Sequence, residues 1–144
     1  MPIVFDAHNH CFPPLGDDKF RNMAARREHQ YHVRFHGQGI RRIRDDVLIE
    51  EKILAGEQDG VSWLPEVDFR VGRYGRVEFT HRSEHYYIQW MPPALQDMSC
   101  SADQTIAHMD YAGVDRAVLQ HDRVYGRLDG FLSDCVSRFP DRFV

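Results

Sequence analysis

The chain has 144 residues, 42% of them hydrophobic and 28% charged, with a net charge of -4. That balance is the composition of a soluble globular protein, and the negative charge argues against nucleic acid as a whole-protein partner. Its longest apolar runs fall short of the roughly 18 residues of a membrane span, and the N-terminus lacks a secretory signal. Cys11, Cys100 and Cys135 are odd in number and have no C-x-x-C spacing, so they are expected to be reduced thiols in a cytoplasmic protein.

The first predicted element is a strand over Ile3–Ala7, running into His8-Asn9-His10. Side chains alternate along a strand, which puts Val4, Asp6, His8 and His10 on one face. Two imidazoles two residues apart on a rigid element have the spacing of two ligands to one metal ion. Asp6 on the same face is placed to orient an imidazole, or to make a structural hydrogen bond. Pro13 and Pro14 then end the strand.

Residues 17–32 read as a helix capped by Asp17 or Asp18, with Phe20, Met23, Ala24 and Arg27 at helical spacing. The segment 21–44 carries seven arginines with Glu28 as its only acid. It reads as a solvated helical face neutralised by the acids that follow, or as a surface for an anionic substrate. Val47–Ala55 is expected to form a short helix ending at Gly56. From Val67 the period becomes two, and 67–90 reads as an antiparallel meander of two or three strands, with His81 and His85 flanking a turn.

Ser101-x-x-Gln104 forms a capping box, and Gly113 is placed to end that helix. Val114–Gln120 reads as a buried parallel strand. Leu128, Phe131, Leu132, Cys135, Val136 and Phe139 mark an amphipathic helix stopped by Pro140. His121 and Asp122 follow the second strand, where they begin a polar loop or reach substrate.

Two of these stretches carry a resemblance. Phe5-Asp-Ala-His-Asn-His10 resembles the D-x-H-x-H signature that opens metal-dependent amidohydrolases. More narrowly, it is similar to the amidohydrolase-related branch that includes aminocarboxymuconate-semialdehyde decarboxylase and its hydrolase relatives. Met109–Gln120, followed by Phe139–Val144, resembles the helix, second strand and following helix of the same barrel.

The resemblance implies an α/β fold, the N-terminal part of a (β/α)8 TIM barrel, with residues 1–12 as its first strand and 93–144 as helix, second strand and next helix. Residues 13–92 would be an inserted helix plus β-meander, acting as a lid, a substrate-selecting cap or a subunit contact. It implies His8 and His10 as ligands of a divalent ion, zinc by preference. Asp6, His121 and Asp122 would be outer-sphere or substrate contacts, and the general base would come from beyond Val144.

The implied activity is hydrolysis of a small substrate, anionic in one reading of the arginines, by metal-activated water, without nucleic acid or membrane partners. The alternatives are a metal-dependent non-oxidative decarboxylase and a non-enzymatic metal-binding or interaction protein. Because such a barrel takes about 250 residues, the length predicts a fragment that is weakly folded or oligomeric and inactive alone.

Overall fold

In a computed structural model, residues 2–16, 23–36, 39–56 and 58–144 are described. In chain order the elements are β1 (Phe5–Asn9), α1 (Met23–His36), β2 (Ile40–Arg42), β3 (Leu48–Ile49), β4 (Arg70–Val71), β5 (Arg76–His81), β6 (Glu84–Gln89), α2 (Ala102–Ala112), β7 (Arg116–Leu119) and α3 (Asp129–Arg138). They divide into two compact units, residues 15–98 and residues 1–14 with 99–144. No helix among the described residues is long and apolar enough to cross a membrane.

The unit 15–98 is built on a five-stranded antiparallel sheet in the order β3-β2-β6-β5-β4. Alternation explains its centre: Val77 and Phe79 on β5 are fully buried, while Arg76 and Glu78, which alternate with them, are only partly covered. Arg82 and Ser83, both at positive φ, connect β5 to β6, and His81 pairs with Glu84 across that two-residue loop. Positive φ at both central positions gives a turn whose twist matches that of the strands. At Gly75 (φ 76°) a Cβ would lie 2.1 Å from the Met91 carbonyl oxygen, so only glycine fits.

Residues 48–49 depart from the expected helix. Leu48 and Ile49 pair with Arg41 and Ile40 as an edge strand, so the sheet extends past the expected meander. Asp46, in the left-handed region at φ 59°, turns the chain between them. Ladder bonds to β2 outweigh a weak local helical pattern only 9 residues long. The expected cap at Asp17 or Asp18 lies outside the described residues, as does Phe20. Further along α1, His29, Gln30 and Val33 are buried.

The barrel expectation is overturned by this topology. Five of the seven described strands lie in the antiparallel sheet, and parallel strand pairing is confined to β1 with β7. A barrel needs a helix between each strand and the next parallel one. From β2 to β6 the described connections contain no α-helix, only turns and one 3-10 turn at Val61–Trp63, so successive strands reverse.

In the other unit, β1 and β7 pair in parallel, and the backbone of residues 142–144 bonds to Ala117 and Leu119 on β7. The Ser101 hydroxyl accepts the Gln104 N–H at the start of α2. Gly113, at φ 70°, ends the helix and lets Val114 donate to the Met109 carbonyl. The core is formed by Cys11, Ala102, Met109, Ala117, Cys135 and Phe143, flanked by Ile106, Phe131, Leu132, Val136 and Phe139.

Candidate metal centre

β1 opens on exposed apolar residues: Ile3 and Val4, just before it, are 69% and 48% exposed, and Phe5 is 48% exposed. The strand is also irregular. Asp6 pairs with Ala117 and Asn9 with Leu119, so three steps on β1 match two on β7. This bulge breaks strict alternation between Asp6 and the histidines. Asp6 braces it, one carboxylate oxygen accepting the His8 backbone N–H at 3.0 Å and the other the Asn9 amide at 2.9 Å. The Asn9 amide, then the His8 N–H and the His8 imidazole, hold the Asp6 carboxyl below the usual carboxylate range. Asp6 therefore shapes the backbone that carries the histidines, and its two oxygens are used in doing so.

His8 and His10 are brought together. Their ring centroids are 4.7 Å apart, and the two Nε2 atoms face each other at 2.8 Å. His8 is exposed and His10 half-buried. His10 Nδ1 lies 3.0 Å from the Gln120 carbonyl oxygen, which can only accept, so Nδ1 carries a proton and, in the neutral ring, Nε2 presents a lone pair. A ligating imidazole commonly makes this bond with its second nitrogen.

To hold one divalent cation between them, the two Nε2 atoms would have to move apart from their 2.8 Å separation. Two nitrogens bound to zinc at about 2.0–2.1 Å in a tetrahedral site are about 3.3 Å apart, half an ångström or so wider than the pair as it stands. With neutral rings and no cation, the same contact is an Nε2–H donated by His8 to His10.

Gln120 lies at the end of β7, and beyond its carbonyl it ties β7 to β1 twice. Its N–H donates to the Asn9 carbonyl at 2.8 Å and its side-chain amide to the Ala7 carbonyl at 3.0 Å. Tyr125 stands 5.3 Å from the His10 ring and stacks on Phe12 at 4.4 Å. Burial, followed by the nearby Asp122 charge, raises the Tyr125 hydroxyl pKa.

His121 and Asp122 do not join the imidazole pair; they build the loop that presents Tyr125. His121 Nε2 bonds the Gly126 carbonyl at 2.8 Å, and the Asp122 carboxylate accepts the Val124 N–H at 3.0 Å over the 3-10 turn Arg123–Tyr125. Among the described residues, no group of three or more His, Cys, Asp or Glu is arranged to hold a metal ion.

No family model, curated protein or solved structure matches this chain.

The histidine pair was legible as spacing; its support was not. The Gln120 carbonyl is a backbone atom, and only its place at the end of a parallel strand marks it. The thiols lie outside the site chemistry. Cys11 is fully buried, its pKa pushed up to about 11 by burial despite its contact with the Thr105 hydroxyl. The described arginines of 21–44 are occupied: Arg26 pairs with Asp68, Arg27 with Glu66, Arg34 with Asp59, Arg41 with Asp46, Arg42 with Asp45 and Arg44 with Glu84. A surface already neutralised in this way offers little to a polyanion.

Proposed function

We propose that this protein is a metal-dependent hydrolase related to the amidohydrolases, with His8 and His10 as two of the ligands to one zinc ion. The observation that carries the reading is the convergence of their Nε2 atoms, together with the Gln120 carbonyl that fixes the His10 tautomer. Zinc suits a pair of neutral imidazoles. When bound, the ion would lower the pKa of a water to about 7 and polarise a substrate carbonyl.

The chain's own residues prepare this end of the strand. Asp6 holds the bulge, so that His8 and His10 face one another. Gln120 keeps His10 Nε2 unprotonated and ties Ala7 and Asn9 to β7. Tyr125, stacked on Phe12, stands beside the His10 ring. Asp6, with both oxygens engaged, is a positioning residue and not the general base. The same pair would also serve a metal-dependent decarboxylase, which product analysis distinguishes.

The absence of a third clustered donor among the described residues favours a second reading, a zinc-binding protein without turnover. Zinc titration of the wild type, His8→Ala and His10→Ala, with p-nitrophenyl acetate hydrolysis followed in parallel, tests both. We expect one zinc per chain and a loss of affinity in each variant beyond the about 10–100-fold cost of losing an outer partner. Zinc-dependent hydrolysis should be abolished by chelator. Equal zinc affinity in all three proteins would overturn the pair as ligands. Zinc bound through the pair without turnover would leave the non-enzymatic reading.

A further inference from the structure

The unit 15–98 contains a cavity of about 350 Å³ that the histidine pair, in the other unit, does not explain. That volume falls at the lower end of the range for small-molecule sites. Four of its lining residues, Ile40, Leu54, Ala55 and Ile88, present hydrocarbon, and Leu54 and Ile88 are each only 2% exposed. These two belong to the packed core, which makes a firm apolar floor.

The charged lining comes from Arg34 on α1 and from Lys52. The two cations differ in what they have left to offer. The Arg34 guanidinium is ion-paired with Asp59 and lies 4.1 Å from the centre of the Tyr31 ring, so its charge is largely answered within the protein. Lys52 is exposed and forms no ion pair with a described carboxylate. An apolar chamber with a cation at its rim that no described carboxylate pairs suits a ligand with a hydrocarbon body and a single negative charge. A dianion would leave a charge unmatched beside apolar walls, which is costly. A neutral ligand would forgo the ammonium, and a cation would be repelled by it.

We infer that this cavity binds a small amphipathic monocarboxylate, with the aliphatic body against Ile40, Leu54 and Ile88 and the carboxylate on the Lys52 ammonium. The site stands independently of any metal at His8 and His10.

The test uses the full chain with sodium octanoate as probe, followed by amide chemical-shift changes, with 1-octanol, octylamine and octyl phosphate as comparison ligands. Octanoate should shift the amides of Ile40, Leu54 and Ile88 saturably. It should bind at least about tenfold tighter than octanol, as a charge-assisted bond to the head group requires. Lys52→Glu should remove that advantage. Ala55→Trp, also an exposed position, should block octanoate by filling the chamber. Neither change touches a buried residue, so both proteins should fold. Equal binding of octanol and octanoate, tighter binding of octylamine or octyl phosphate, undiminished binding by Lys52→Glu, or no saturable shift at these residues would each overturn the assignment.

Discussion

The two units solve the same problem of holding strands together in opposite ways. In the antiparallel unit, Val77 and Phe79 of β5 are completely buried, and the described arginines between 21 and 44 are matched to carboxylates. In the parallel unit, Ile3 and Val4 before β1 and Phe5 at its start are largely exposed, and the strand is interrupted by a bulge where the histidines begin. The regular sheet spends its strand residues on packing. The irregular strand spends them on aiming side chains, and a carboxylate brace (Asp6) does the work that burial does elsewhere.

The sharpest way to break this contrast is to truncate one aromatic from each strand. Phe79→Ala, at a fully buried position, should cost about 3–5 kcal/mol, whereas Phe5→Ala should cost less than about 1 kcal/mol because half of that ring is already in water. Chemical denaturation of both variants checks this. Similar losses would mean that β1 is a core strand after all.

A smaller effect distinguishes the units by pH. His29 is buried between Phe69 and Trp90, and burial, with His32 nearby, pushes its pKa down to about 3. The folded state then declines a proton that the unfolded chain accepts below about pH 6.5. The contribution is fully present above that pH and is lost as the pH falls toward 3, with a slope approaching about 1.4 kcal/mol per pH unit. Stability measured from pH 7 to pH 5 should fall in the wild type, and His29→Leu should flatten the decline. An unchanged slope in the variant would place the pH response elsewhere.

These contrasts also show what was readable from residues alone. The ends of α2 were legible because Ser101 and Gly113 act on their own neighbours, and the α3 stripe was legible because it repeats. Leu48–Ile49 was not, since its conformation is decided by pairing with β2, and the barrel expectation failed because it extended the resemblance of two short stretches across a segment whose turns reverse the chain. At the site, His8 and His10 were visible as spacing. The bulge, the Asp6 brace and the Gln120 carbonyl depend on the register of β1 against β7, which only the paired strands define.

The smallest expected effect concerns that brace. Asp6→Ala should cost about 1 kcal/mol, the worth of its hydrogen bonds on a partly exposed strand. It should also weaken zinc binding several-fold by letting the bulge relax. Because the folded-state Asp6 pKa is lowered, its contribution is present above the unfolded value of about 3.9 and is lost as the pH falls through the folded one. Zinc titration and acid denaturation of the variant check both effects, and an unaltered zinc affinity would show that the pair does not need the brace.

The central claim is that His8 and His10 bind one metal ion through their Nε2 atoms, with that of His10 unprotonated from the start and that of His8 giving up its proton on binding. Long-range proton–nitrogen NMR of the imidazole rings, recorded before and after one equivalent of zinc, tests it most directly. The account predicts an Nδ1-protonated His10 from the start and, on adding zinc, a shift of both Nε2 resonances with His10 Nδ1 still protonated. Nε2 resonances of His8 and His10 that stay in place while zinc binds elsewhere, or does not bind, would contradict it.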